Sequence, residues 1–157
     1  MSKYMILSAV AALMAAPAFA EGDAAAGEEA FSQCQTCHII ADDDGNVIAG
    51  RNARQGPNLY NVVGRQAGSE EEFASGRPGY RPSLVEAGEE GLVWTEEDLV
   101  PYLQDPNGYL RDYLDSPRAR SGMAYRVRTE QEAMDLAAFL ASVSPDAPED
   151  EGEGEDS

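Results

Sequence analysis

The chain has 157 residues, 43% of them hydrophobic, with 29 Asp and Glu against 11 Lys and Arg and a formal net charge of −18. That length suits one compact domain and is too short for two ordinary ones. A surface so acidic repels nucleic acid and anionic membrane, so neither is expected as a partner.

Residues 1–20 read as an export signal. Lys3 supplies a positive start, residues 4–16 form an apolar stretch too short to span a bilayer, and Ala18-Phe19-Ala20 is a small-residue cleavage site, with cut expected after Ala20. The next residue is Glu21 rather than Cys, so no lipid anchor is expected, nor a membrane anchor. The remaining chain is expected in the periplasm. Lys3 is the only lysine, and every carboxylate follows residue 20, so the exported chain sets ten arginines against 29 carboxylates, a formal charge of −19.

Asp23 is a suitable N-cap for a helix over residues 24 to about 35, in which Ala26, Ala30, Phe31 and Cys34 make an apolar stripe. Gly27 interrupts it at a cost of about 1 kcal/mol relative to alanine, which implies close approach of another helix. Cys34-Gln35-Thr36-Cys37-His38 follows, the C-x-x-C-H pattern of covalent haem c attachment. Two thiols three positions apart reach the two vinyl groups on one porphyrin edge as thioethers, and the adjacent imidazole faces the iron. A zinc site is a poor alternative, because these are the only cysteines and the only histidine and the four-ligand shell stays incomplete. A C-x-x-C redox pair would want alternating strands and helices around it, and the sequence has none.

Residues 39–54, with Asp42-Asp43-Asp44-Gly45-Asn46, carry turn chemistry and read as loop, and Gly56-Pro57 marks a further turn. Short helical turns are expected near residues 69–72 and 82–87. Thr95 with Asp98 opens a helix through Leu99, Tyr102 and Leu103 that ends at Asp105-Pro106, and a short helix is expected over residues 109–114. The clearest helix is the last: Thr129 and Glu132 form a capping box, and Ala133, Leu136, Ala137, Leu140 and Val143 follow at helical spacing. Residues 144–157 hold seven carboxylates and almost nothing apolar, so a disordered acidic tail is expected after a domain of residues 21–143. The chain is expected to be all-α, with terminal helices and long irregular loops.

These residues resemble the class I cytochromes c, and among them the larger soluble electron carriers of purple and denitrifying bacteria. Gly27, Phe31, Cys34, Cys37 and His38 match the N-terminal helix and haem motif of the family. Gly56-Pro57-Asn58-Leu59, Gly64-Arg65-Gln66-Ala67-Gly68, Tyr80, Trp94, Tyr102, Ser121-Gly122-Met123-Ala124-Tyr125, and Leu136 with Phe139 follow in family order. The resemblance implies one haem c per chain, held by two thioethers between crossing terminal helices. It implies that His38 and Met123 are the iron ligands, with the Pro57 carbonyl accepting the His38 ring N–H and Tyr102 near the Met123 sulfur. Arg65, Tyr80, Trp94 and Ser121 are implied to bond the propionates, and Tyr125 to stand at the exposed haem edge. Met134, the other methionine after the signal, suits core packing better.

With both axial positions filled, the implied activity is one-electron transfer, from a quinol-oxidising cytochrome bc-type complex to an oxidase, reductase or photosynthetic reaction centre. The alternative is a haem enzyme or sensor in which the methionine leaves and peroxide or nitric oxide binds. Partners are expected to be membrane redox complexes and some soluble reductases, met by a monomer. Arg111, Arg118, Arg120, Arg126 and Arg128 flank Met123 against only Asp112 and Asp115, so docking is expected at an arginine-bearing haem edge, despite the missing lysine collar of the family.

Overall fold

The computed structural model describes residues 21–76 and 78–148; the expected signal and residues 149–157 of the acidic tail lie outside the described residues. Among the described residues, six α-helices and one small hairpin occur in the order α1 (Ala24–Ala30), β1 (Ile40–Ala41), β2 (Val47–Ala49), α2 (Glu71–Ser75), α3 (Pro82–Glu89), α4 (Glu96–Gln104), α5 (Pro106–Tyr113) and α6 (Glu130–Ser142).

Asp23 caps α1 as expected, its carboxylate accepting from the Ala25 and Ala26 amides. The α-helix is shorter than its apolar stripe, because the chain tightens into a 3₁₀ turn at Phe31–Gln33 before the cysteines. Thr95 caps α4 through the Asp98 amide, and Thr129 caps α6 through the Glu132 amide. At residues 69–72 the cap is Glu70, not Ser69, whose hydroxyl donates to the Gln66 carbonyl instead. Helix α5 starts three residues earlier than the pattern indicated, since Pro106 takes the first helical position and Asp105 caps the Gly108 amide.

The stretch expected as plain loop contains the antiparallel β1–β2 pair, closed by Asp42, whose carboxylate accepts from the Asp44 and Asn46 amides. Its two strands hold five residues in all, too few for an alternation pattern to be seen. The segment around Arg65 also pairs with that around Trp94: the Trp94 amide donates to the Arg65 carbonyl at 3.0 Å and the Gly64 amide to the Trp94 carbonyl at 2.7 Å.

The core centres on the crossing of α1 and α6. Phe31, Leu136, Phe139 and Leu140 are all at most 4% exposed, and the Phe31 and Phe139 rings lie 5.6 Å apart at 56°. Burying each such side chain stabilises the fold by about 1.5–3 kcal/mol. Gly27 sits where the helices touch: a Cβ there would fall 1.9 Å from the Asp135 carbonyl oxygen. The costly glycine is thus explained by backbone contact.

One expectation needs correcting. The packed domain does not stop at residue 143, because residues 144–148 fold back on the loop at residues 61–64. Ser144 is 4% exposed; its hydroxyl donates to the Leu140 carbonyl and accepts from the Val63 amide. Asn61 and Asp146 exchange two further hydrogen bonds. Composition marked this segment as tail because its anchor is one small polar residue rather than an apolar one.

Candidate functional site

Cys34, Cys37 and His38 leave the end of the 3₁₀ turn on one tight bend. The Cys37 and His38 amides donate to the Cys34 carbonyl at 3.0 and 2.9 Å, which holds both thiols and the imidazole in one turn of chain. Both thiols are free and partly exposed. Burial, with Glu132 and Cys37 adding to it, pushes the Cys34 thiol up to about 11.

The loop at residues 50–59 closes over His38. The Gly56 amide donates to the Cys37 carbonyl, and His38 Nδ1 lies 2.9 Å from the Pro57 carbonyl oxygen. A carbonyl only accepts, so the proton sits on Nδ1 and Nε2 keeps its lone pair. Burial holds the imidazole below its ordinary pKa, with the Pro57 carbonyl opposing and the Arg65 charge assisting, so the neutral ligating form is favoured. Gly56 is the cradle for this ring, because a Cβ there would meet Cε1 at 2.3 Å and Nδ1 at 2.6 Å.

Arg65 is partly buried, and its guanidinium donates to the Asn58 and Tyr60 carbonyls at 2.9 and 3.2 Å, which ties it to the loop that holds His38. Tyr80 packs edge-on against Phe73 with ring centroids 4.8 Å apart, and burial is the main cause of its pKa of about 12. Trp94 is 6% exposed and lies against Tyr102, ring centroids 4.6 Å apart.

The methionine segment is held from α4 and α5. The Tyr102 hydroxyl and Ser121 Oγ are 2.8 Å apart, Ser121 Oγ accepts from the Met123 amide at 3.0 Å, and the Ser121 amide donates to Asn107 Oδ1 at 2.9 Å. Met123 is partly buried against the core, and Met134 partly buried on α6. Tyr125 is 41% exposed, and its hydroxyl donates to Gln33 beside the first cysteine.

Two residues with no role in the sequence reading prove central. Asn58 brackets the hairpin, its amide donating to the Ala41 carbonyl and its oxygen accepting from the Ala41 and Tyr60 amides. Asn107 sets the start of the methionine segment from the next helix over. The position of Asn58 in a Gly-Pro-Asn turn was a signal; Asn107 had none, because its partner is 14 positions away. Of the arginines around Met123, Arg126 pairs with Asp105 at 2.9 Å and Arg120 turns onto the carbonyls of Pro117 and Ala119, while Arg118 and Arg128 are exposed.

The donor set fits a covalent haem: two free thiols and an imidazole on one bend, the imidazole fixed in the tautomer that leaves Nε2 open, and a thioether on a separately braced segment. Among the described residues no group of three or more cysteine, histidine and carboxylate side chains is placed to hold a metal ion by itself, and no helix is long and apolar enough to cross a membrane.

No protein-family model matches the chain. It is similar to cytochrome c2 of Rhodovulum adriaticum, 56% identical over 122 residues that cover 78% of this chain and 93% of the relative. Cytochrome c-551 of Roseobacter denitrificans is 52% identical over 130 residues, covering 83% and 87%. Among solved structures, cytochrome c2 of Rhodobacter sphaeroides matches with a TM-score of 0.74 at 48% identity, over 79% of this chain and 98% of that one.

Proposed function

Since the chain belongs to the class I cytochromes c, alongside the cytochromes c2, we propose residue by residue how it carries its electron. The protein is an electron-transfer protein with one covalently attached haem c, and not an enzyme.

Cys34 and Cys37 hold the haem by thioethers, His38 ligates through Nε2, and Met123 supplies the sixth ligand through sulfur. The observation that carries this assignment is the 2.9 Å contact between His38 Nδ1 and the Pro57 carbonyl, which orients the ring and raises its basicity. When bound, the haem would supply a one-electron iron couple, whose potential ligation by the Met123 thioether together with the His38 imidazole would raise. Tyr102, Ser121 and Asn107 position Met123 by fixing its backbone. Arg65 and Trp94, brought together by the pairing of the segments at residues 64–67 and 92–94, bond the propionates with Tyr80, and Arg65 alone of the three supplies an opposing charge. Arg65 does so with a charge already tethered by two carbonyls, which limits reorganisation when the iron changes charge.

The carrier works in the periplasm, after cleavage following Ala20, as a monomer. It takes electrons from a quinol-oxidising complex and passes them to an oxidase, reductase or photosynthetic reaction centre. It docks through the exposed edge near Tyr125, to which the exposed Arg118 and Arg128 lend positive charge. Met123→Ala tests the ligand set: covalent haem should remain, while the methionine–iron absorption of the ferric protein disappears. Retention of that band in Met123→Ala and its loss in Met134→Ala would transfer the role to Met134.

A further inference from the structure

The first turn of α3 also reaches the methionine segment, and it does so at two points. The Arg120 amide donates to Ser83 Oγ at 3.1 Å, across 37 positions of sequence. A Cβ at Gly122 would fall 3.3 Å from Arg81 Cγ, so the aliphatic stem of Arg81 covers the backbone immediately before Met123. Neither side chain is used by its own helix. Pro82 takes the first helical position, Arg81 makes no side-chain capping bond, and the Leu84 amide is satisfied by the Arg81 carbonyl. Arg81 is exposed and pairs with no carboxylate among the described residues, where the ion pairs are Arg54–Glu72 and Arg126–Asp105.

The segment that Ser83 grips is stiff. The Ala119 amide donates to the Ser116 carbonyl, and the Arg120 guanidinium bonds the Pro117 and Ala119 carbonyls at 3.3 and 2.8 Å, so residues 116–120 form one braced turn. Two consecutive amides at its end are held from different helices, Arg120 by Ser83 on α3 and Ser121 by Asn107 on α5. We propose that Ser83 is a positioning residue for the sixth ligand, with the Arg81 stem as its second point of hold, so that the first turn of α3 keeps the Met123 sulfur at the iron. The inference rests on the assignment of Met123 as that ligand. It also joins the two halves of the proposed site, because Tyr80, assigned to the propionates, immediately precedes Arg81.

The Arg120 amide lies at the surface, where water replaces a lost acceptor, so the Ser83 bond contributes the modest net amount of an ordinary hydrogen bond and not the rescue of a stranded donor. That amount sets the size of the effect. Opening the ligand loop breaks this bond, so removing it raises the open fraction about fivefold, and the apparent affinity of an outside ligand for the vacated position rises in proportion. A bond that served α3 alone would survive loop opening and leave that affinity unchanged.

The test titrates the full-length, haem-loaded ferric protein with imidazole at neutral pH and follows the methionine–iron absorption. Ser83→Ala should lower the apparent dissociation constant for imidazole about fivefold, and Ser83→Thr, which keeps the hydroxyl, should return it to the wild-type value. Arg81→Gly should lower it as well, whereas Arg81→Met, which keeps an unbranched stem and removes the charge, should stay close to wild type. Equal imidazole affinity in wild type and Ser83→Ala would overturn the proposal even if Ser83→Ala melted earlier, since that combination marks a purely structural bond. An Arg81→Met affinity that tracks Arg81→Gly would overturn the role of the stem. Met123→Ala, recorded alongside, separates the two readings: an absorption retained there sinks the ligand assignment and the positioning role with it, while an absorption lost there beside an unmoved Ser83→Ala sinks the positioning role alone.

Discussion

Replacing Gly27 with alanine puts a methyl group into the contact between α1 and α6. The new Cβ falls 1.9 Å from the Asp135 carbonyl oxygen and 2.8 Å from Phe139 Cβ, where ordinary contact begins at 3.4 Å. Relief requires the helices to part by roughly 1.5 Å, which breaks the close packing of Phe31 on Phe139. Alanine improves helix propensity by about 1 kcal/mol, whereas overpacking against backbone costs about 3 kcal/mol, the upper part of the usual range, because a carbonyl has no rotamer to change. The net loss is then about 2 kcal/mol, or about 8 °C in Tm for a domain of this size. Gly22→Ala tests the same contact just before α1: its Cβ would meet the Met134 carbonyl at 2.1 Å, so it should be destabilising in the same sense. Thermal melts of the haem-loaded proteins by circular dichroism measure both. A Gly27→Ala melt within about 2 °C of wild type would refute the packing argument.

Ser144→Ala should cost about 1–3 kcal/mol in chemical denaturation, because it strands the Val63 amide; truncation after residue 148 should leave stability unchanged. Gly56→Ala should drive the His38 ring off its cradle, and a high-spin ferric fraction in the visible spectrum would report it. Tyr80 should make stability fall as pH rises from about 10 to about 12: the unfolded phenol ionises first, the folded one only at about 12, and below pH 10 the two states bind equal protons. Denaturant titrations across that range check the sign. Residues 21–157 contain no lysine, so ferric magnetic resonance in an alkaline titration should show no lysine-ligated species. Electron-transfer rates to an acidic partner should fall with added salt, and a steady rise would count against docking by the arginine edge.

The parts of the molecule written in local chemistry were readable from sequence. Asp23, Thr95 and Thr129 each cap a helix from two or three residues away, and the C-x-x-C-H bend contains its own hydrogen bonds. The reason for Gly27 was also accessible, since a costly residue implies a neighbour. Features set by distant partners were not. Ser144 looks like the first residue of a tail until the Val63 amide, 81 positions earlier, is placed above it. Asn107 looks like any helix-start polar residue until Ser121 comes to it. Arg126 looked like free docking charge, yet Asp105 lies across from it through folding alone. The β1–β2 pair was missed for a different reason: five residues around an aspartate turn leave no periodic trace.

The crossing of the terminal helices has a consequence in time. The Asp23 amide donates to Asp135, 112 positions on, so this contact closes a loop that includes almost the whole domain. Closing such a loop in an otherwise loose chain costs about 4 kcal/mol of entropy before any constant term. A chain made from its N-terminus presents Cys34 and Cys37 long before α6 exists to cross α1. The thiols are therefore open to the attachment chemistry while the chain is still extended, and the crossing comes last. On the proposed thioether assignment, the contact at Gly27 would then act as a latch on a finished product, shutting after the haem is bonded to the short stretch that follows α1.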